Sequence, residues 1–355
     1  MEPASSLACP RGGGPFHLSE LFWQCFEEAY AGGAILPVAA GDARLRLIEM
    51  RERLGPLRFR TLQSATNLQT CYYDLEGPEP APEEMGSLPA RLLRGSGVHQ
   101  LRFDWLREAS RLLDAARAWR GRYLTTIDHY ATSPVVDCRG TFEDYLARAG
   151  KSVRKYWRTC RREVLERGTL EVEFVTGGPG LAELLSAMFD LEASGWKGRD
   201  RTAILCSLAD TRFYTGLAFA AAEAGALRIA LLKEEGRLLA FEYCIVADGI
   251  VAAMKVGYDE SRAKLQPGHL LALMNIRDAC ATPGLDWYDM LGNGLRVADY
   301  KRRFATDYWP VHRVRVFARS PLGLLLYAAF RARPRVKALR DRLRGRGRRG
   351  GDGAA

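Results

Sequence analysis

The chain has 355 residues, of which 47% are hydrophobic and 26% are charged, and its formal net charge is +10. This composition is that of a folded globular protein and excludes a disordered or fibrous chain. The length allows two domains, because single hydrophobic cores stop growing at about 250 to 300 residues.

The positive charge lies mainly at the C-terminal end. Residues 331–355 contain ten Lys or Arg and two Asp, a net charge of +8, so residues 1–330 carry 10 − 8 = +2. A nearly neutral body does not predict a nucleic-acid partner. The basic C-terminus is predicted either to be a solvated end or to make peripheral contact with an anionic membrane.

Two further segments bear on localisation. The apolar run at residues 320–330 is about half of the ~20 residues that span a bilayer, so it is predicted to pack as a last helix, with placement in the membrane interface as the alternative. Glu2 and the lack of an apolar run before Gly12 argue against a signal peptide. We expect a cytoplasmic protein, with peripheral contact at the inner face of the membrane left open.

The first half has a mixed α/β pattern. Residues 1–15 are predicted to be a disordered leader, followed by a domain over residues 16–140. Within that domain "LRFRTLQS" and "RYLTTIDHY" predict strands, the apolar spacing of residues 103–119 predicts a helix, and the Pro-rich residues 77–89 predict a loop.

Residues 141–168 predict a helical bridge between the halves. Thr141 is the predicted N-cap, Glu143 and Asp144 follow in the first turn, and Gly168 ends the pattern. Eight Lys or Arg fall between residues 148 and 167. We interpret these residues as a solvated helical face, and the alternative is that they bind a phosphate-bearing substrate.

The second half predicts the order strand, helix, helix, three strands, helix, strand, helix, strand. The three successive strands are joined by Gly-containing turns at residues 234–237 and 247–249, which predict an antiparallel meander.

Four segments of this half carry a resemblance to a known family. They are "DLEASGWKGRDRTAI", "LRIALLKEEGRLLAFEYCIV", "KVGYDESRAKLQPGHLL" and "WYDMLGNGLRVADYKRRF". In this order they resemble the GNAT-type acetyltransferase domain of CelD-like proteins of cellulose and exopolysaccharide biosynthesis. The resemblance implies tandem GNAT-like domains with mixed, mostly antiparallel sheets flanked by helices, a doubled plan shared with FemABX-like ligases. The first copy would be degenerate, the second would span residues 169–320, and residues 321–355 would form an apolar helix and basic tail.

The resemblance also implies a donor site. In GNAT folds the turn from the fourth strand into the next helix binds the diphosphate of acetyl-CoA or another acyl-CoA through backbone amides that the helix start leaves unpaired. Here that turn holds Gln266, Pro267, Gly268, His269 and Leu270. Pro267 suits a first helical turn, and Gly268 allows close approach of a phosphate. "QPGHLL" departs from the family signature, which has two glycines.

Transfer of an acyl group to an amine needs a proton acceptor, donors for the developing oxyanion and an acid for the leaving thiolate. Asp289, near the end of its strand, is the candidate base, with capping of the following turn as the alternative. Lys301 and Tyr300 are candidates for carbonyl stabilisation and for protonation of the sulfur. Lysine is scarce here, eight against 44 arginines, which favours a specific use.

Four further residues are predicted to bind the acceptor, a small molecule such as a sugar or amine. They are Glu192, Trp196, Lys197 and Tyr258, where Trp196 suits stacking on a sugar ring. No metal is expected, because the five histidines are dispersed and the eight cysteines form no CxxC pair.

Three functions stay open. The first is an acyl-CoA-dependent N-acyltransferase of the GNAT type in polysaccharide or cell-envelope biosynthesis. The second is a FemABX-like ligase that uses an aminoacyl-tRNA, and the third is a non-catalytic GNAT scaffold of a polysaccharide synthesis complex.

Overall fold

The computed structural model describes residues 20–31, 35–70, 72–166, 168–292 and 294–333. The predicted leader and most of the basic tail lie outside these residues. One sheet of eleven strands runs through the described part of the chain. The strands are β1 (Ile35–Ala40), β2 (Ala43–Leu54), β3 (Leu57–Ser64), β4 (Gln100–Arg107), β5 (Leu124–Asp137), β6 (Glu171–Val175), β7 (Leu227–Glu234), β8 (Arg237–Ala247), β9 (Ile250–Tyr258), β10 (Trp287–Asp289) and β11 (Asp307–Phe317).

Helices cover both faces of this sheet. They are α1 (Glu20–Phe26), α2 (Pro82–Leu93), α3 (Arg111–Trp119), α4 (Phe142–Arg148), α5 (Lys151–Arg161), α6 (Leu181–Ser194), α7 (Trp196–Arg199), α8 (Leu208–Glu223), α9 (Pro267–Ala281), α10 (Asp299–Phe304) and α11, residues 321–333. One hydrophobic cluster joins the sheet to α1, α2, α3, α6 and α8, and we call this side the front face. A second cluster joins it to α4, α5, α9 and α10 on the back face.

The strand order is β1-β2-β3-β4-β11-β5-β10-β9-β8-β7-β6. Each half contains a meander whose last strand pairs in parallel with the strand after the next helix: β3 with β4, and β9 with β10. All other neighbours are antiparallel. The predicted fold class, an open mixed α/β sheet flanked by helices, is therefore confirmed.

The two halves exchange strands. β5, from the first half, pairs with β10, and β11, from the second half, pairs with β4 as well as β5. Three strand pairs in the middle of the sheet, β4 with β11, β11 with β5 and β5 with β10, thus join the two halves. The domain boundaries at residues 140 and 169 stay a prediction, but the polypeptide on either side of them shares one sheet.

The local predictions for the second half are confirmed by the element order. Both hairpin turns place two residues at positive φ, Glu235 and Gly236 in one and Asp248 and Gly249 in the other. This is the geometry of the type I′ turn, whose twist matches that of antiparallel strands. In the bridge, Thr141 caps α4 and forms a capping box with Asp144, as its spacing predicted.

Two predictions for the first half were wrong in part. Residues 103–107 belong to β4 and not to a helix, which starts only after the N-cap Ser110. Leu101, Phe103 and Trp105 alternate with polar residues as in a strand, but the apolar residues from Phe103 onwards also fit helical spacing, so the local pattern was ambiguous. Residues 82–89 form most of α2 and not a loop, because Pro82 occupies the first helical turn, where its missing N–H costs nothing.

The apolar segment at residues 320–330 packs as the last helix, as predicted. Leu326 of α11 is fully buried against Phe59 and Phe317 of the sheet. Across the described ranges, no helix combines the length and apolarity that a membrane crossing requires.

Candidate active site

The site is built around an opening in the sheet between two parallel strands. β9 pairs with β10 only through Ile250, Val251 and Ala252. A register shift opposite Tyr243 and Cys244 marks a bulge in β9, and bulges bend a strand and end its pairing. After Asp289 the chain turns to β5, where the Met290 amide donates to Pro134 O. Residues 253–258 of β9 therefore border a gap.

Helix α9 begins beside this gap. Gln266 is its N-cap in a left-handed conformation with φ 54°, and Pro267 is the first helical residue. A Cβ added at Gly268 would lie 3.5 Å from the Tyr258 ring, which is ordinary contact. The structure thus brings Tyr258 together with the predicted donor-binding turn. The Gly268 amide, in the first turn, is one that the helix itself cannot pair.

Neighbouring helices cover one side of this turn. Tyr156 of α5 donates to Gln266 O at 3.1 Å, and Tyr300 of α10 stacks on His269 with ring centroids 5.6 Å apart. Gln266 is exposed and Gly268 and His269 are partly exposed, whereas Pro267 and Leu270 are buried. Burial and the nearby Arg303 guanidinium lower the pKa of His269. Burial and Arg303 therefore both disfavour the protonated imidazole.

Glu192 and Lys197 meet at the opposite edge of the gap. Lys197 Nζ donates to the buried carboxylate of Glu192 at 2.7 Å and to Val256 O of β9 at 2.5 Å. The Ile204 amide donates to the second carboxylate oxygen. The Lys197 ammonium thus lies at the free edge of β9, where it can contact an acyl carbonyl. Trp196 is 45% exposed, and its backbone amide donates to Glu260.

Asp289 lies away from the other predicted catalytic residues. Its neighbour Tyr288 belongs to the back-face cluster, so Asp289 points to the front face. There it is fully buried and accepts hydrogen bonds from Tyr72, from Ser133 Oγ at 2.5 Å and from the Leu291 amide at 2.8 Å. Burial raises the pKa of Asp289. This arrangement supports the alternative, a carboxylate that organises the turn after β10.

Lys301 and Tyr300 lie on the back face. Lys301 Nζ donates to Met290 O at 2.7 Å and Leu291 O at 2.6 Å. The Lys301 side chain lines a pocket of about 280 Å³. The other residues that line this pocket are Pro134, Leu291, Gly292, Arg296, Val297, Ala298 and Asp299. Burial and the Glu242 carboxylate raise the pKa of Tyr300, which makes its proton harder to transfer to a thiolate.

Sequence reasoning missed a buried polar network beneath α9. Glu242 of β8 is 3% exposed and accepts hydrogen bonds from Tyr288 at 2.7 Å and Asn275 at 2.8 Å. Arg228 continues the network by donating to Asn275 Oδ1 at 2.9 Å and to Asp278 at 2.5 Å. The available signal was a single charged residue within the apolar strand "LLAFEYCIV".

Glu242 links this network to the site. Burial raises the pKa of Glu242, against the opposing effects of its hydrogen bonds and of the Arg228 and Lys301 charges. The same carboxylate raises the pKa values of Tyr288 and Tyr300. Glu242 is therefore electrostatically coupled to both α10 candidates, and its carboxylate is sealed from solvent.

We expect Glu242→Gln to be more stable than the wild type at pH 7.5, by on the order of 1 kcal/mol. The folded pKa of Glu242 is raised, so folding costs free energy above that pKa and the cost disappears as the pH falls towards the ordinary glutamate value. The advantage of the variant should therefore shrink at acid pH. Urea unfolding at several pH values measures it, and an advantage that grows on acidification contradicts the assignment.

Comparisons with known proteins agree with this geometry. Residues 151–302 match the family model described as an acetyltransferase (GNAT) domain. The matched segment contains the gap, α9, the basic helix α5 and the first four residues of α10. The fold of this segment is therefore of the GNAT type. A search of curated protein sequences gave no match.

Solved structures show a similar fold over most of the chain. FemX matches with a TM-score of 0.56 at 10% identity, covering 86% of this chain and 93% of that chain. A conserved protein of unknown function from Bacteroides thetaiotaomicron matches with a TM-score of 0.56 at 12% identity, covering 85% and 91%. The C-terminal domain of a predicted lysylphosphatidylglycerol synthetase from Agrobacterium fabrum matches with a TM-score of 0.51 at 14% identity, covering 87% and 91%. At such identities the likeness concerns the fold alone.

Proposed function

We propose that this chain is an N-acyltransferase that uses an acyl-CoA donor. The observation that carries the proposal is the start of α9 at Pro267, beside the gap where β9 leaves β10. The Gly268 amide, which the first helical turn leaves without an intrahelical partner, is available to a diphosphate oxygen, and the edge of β9 offers main-chain groups to the extended arm of the donor. The acceptor is a small amine or amino sugar of polysaccharide or cell-envelope biosynthesis, as the resemblance to CelD-like proteins implies.

The chemistry needs few groups. The acceptor nitrogen attacks the thioester carbon, a C–N bond forms, the C–S bond breaks, and a proton passes from the amine towards the thiolate. In this proposal the ammonium groups that stabilise the developing oxyanion are Lys197, which contacts the free edge of β9, and Lys301, which lines the pocket. Asp289 has its carboxylate enclosed, so its assignment as the base has less geometric support than the two lysines.

Titration calorimetry with acetyl-CoA tests the donor. We expect a dissociation constant between roughly 1 μM and 1 mM, the usual range for enzyme substrates. Coenzyme A without the acyl group should compete, because the diphosphate carries most of the contact, and adenosine should not. No heat at millimolar acetyl-CoA would favour the non-catalytic scaffold.

The second candidate function is a ligase that takes its acyl group from an aminoacyl-tRNA. The observation in its favour is α5, which contains five Lys or Arg and no acidic residue and borders the start of α9. Such a ligase must contact many phosphates, which makes its RNA affinity strongly salt-dependent. Activity in a cell extract that ribonuclease abolishes and acetyl-CoA does not restore would favour this candidate.

A further inference from the structure

The basic face of α5 is electrostatically costly for a free protein. Lys151 and Lys155, and Arg154 and Arg158, are like charges one turn apart, which destabilises a helix. Lys151 also lies in the first turn, where the helix dipole disfavours a cation. Lys151, Lys155 and Arg158 are exposed, and none of them forms an ion pair within the described residues. A partner of negative charge would remove this cost.

Helix α11 lies on the same face of the sheet as α5. Val316 belongs to the front-face cluster, so the next residue, Phe317, points to the back face, and α11 packs on Phe317. Leu324 and Leu325 of α11 are 49% and 50% exposed. This helix therefore presents aliphatic side chains on the side of the molecule where α5 presents cations.

The pocket beside Lys301 lies on the same face of the sheet as these two helices. Pro134, which lines it, precedes the back-face residue Val136 by two positions on β5 and therefore has the same orientation. At its rim Leu295 is 60% exposed, and the adjacent Arg296 is exposed as well. An aliphatic and a cationic side chain thus stand next to each other at the pocket, on the same rim as the exposed carboxylate of Asp299.

We propose that the back face, defined by α5, residues 294–298 and α11, docks on the surface of an anionic lipid bilayer. Lysines and arginines attract anionic headgroups, while leucines that stand out from the surface enter the headgroup boundary. The pocket then opens towards the membrane. The proposal concerns binding alone and does not depend on the identity of the donor.

A bilayer fits this face better than RNA does. Single-stranded RNA is bound by basic grooves combined with exposed aromatic platforms on which bases stack. The large apolar side chains that stand out here are the aliphatic Leu295, Leu324 and Leu325 and one aromatic, Tyr308 beside Pro134, whereas the exposed Trp196 belongs to α7, outside this face. Leucine side chains add apolar area that can be buried in the membrane interface, but they cannot stack on bases.

Vesicle co-sedimentation of the full chain tests the proposal. Binding should rise steeply between phosphatidylcholine vesicles with about 0 and about 40 mol% phosphatidylglycerol, because each basic residue near such a surface adds attraction. Lys155→Glu with Arg158→Glu should weaken binding at least about 10-fold. The matched control, Arg94→Glu with Arg212→Glu, changes the same charge at two exposed residues, the C-cap of the front-face helix α2 and a residue of the front-face helix α8, and should change binding less than about 3-fold. The α5 variant and its control both keep the basic residues after 333, so these residues do not contribute to the difference in vesicle binding between the two.

A second arm tests the apolar contribution. Leu324→Ser with Leu325→Ser should reduce binding about 5-fold or more at high salt, where screening leaves burial as the main attraction. Circular dichroism verifies the fold of each variant. Equal losses in the α5 variant and its control, or no binding to anionic vesicles by the wild type, would overturn the proposal. So would tRNA binding that tracks the α5 charges while vesicle binding does not.

Discussion

Gly268→Glu is expected to weaken acetyl-CoA binding by at least about 100-fold, because like charges brought together at a binding site cost several kcal/mol. The carboxylate would be placed in the first turn of α9, where the donor diphosphate is proposed to bind. The stability of the folded protein should not decrease. Negative charge near a helix N-terminus is favourable by about 0.3 to 1 kcal/mol, and a Cβ here meets only the Tyr258 ring at 3.5 Å.

Gly268→Ala is the matched control for this prediction. It adds the same Cβ without the charge, so the dissociation constant should stay within about 3-fold of the wild type. Titration calorimetry measures affinity, and urea unfolding confirms that all three proteins are folded. Unchanged affinity in Gly268→Glu would remove the start of α9 from the donor site. An equal loss in both variants would assign the effect to the added carbon and not to the charge.

Asp289→Ala is expected to lower the free energy of unfolding by about 3 kcal/mol, because removal of one member of a buried network leaves its partners unpaired. Tyr72, Ser133 and the Leu291 amide all donate to this carboxylate. Tyr72 comes from the first half, and the Arg107 guanidinium lies 4.7 Å from its ring. Loss of Asp289 therefore weakens the attachment between the halves as well as the turn after β10.

Two variants separate this structural role from catalysis. Asp289→Asn keeps an acceptor oxygen and should cost only about 1 kcal/mol, and Tyr72→Phe removes one hydrogen bond at a similar cost. Urea unfolding gives the stabilities, and turnover is measured in the same preparations. Asp289 would be a catalytic base if Asp289→Asn abolished turnover while Tyr72→Phe kept the turnover of the wild type, with both variants as stable as the wild type. Turnover that follows stability across the series would assign it to the turn.

Several features of the fold could be predicted because their cause lies within a few residues. The Glu235-Gly236 and Asp248-Gly249 turns and the Thr141 cap depend on local backbone preferences and local hydrogen bonds. The start of α9 at Pro267 has the same origin. Where the local pattern was ambiguous, as in the doubly buried β4, the prediction failed.

The candidate site depends on contacts between distant residues. Tyr258 and Gly268 are near each other in the chain, and their proximity could be predicted. The bond from Tyr72 to Asp289 spans 217 positions and could not. Glu242 was missed for the same reason, since its partners Asn275 and Tyr288 come from a helix and a strand far along the chain.

The amino-acid sequence by itself determined the order of elements in the second half, the hairpin turns and the position where α9 begins. Only the tertiary structure decided that β5 and β11 are exchanged between the halves and that Asp289 and Tyr300 lie on opposite faces of the sheet. The reason is geometric. Side chains alternate from face to face along a strand, and bulges change that alternation, so the direction of each residue is fixed by the register of strands that meet only in the folded chain.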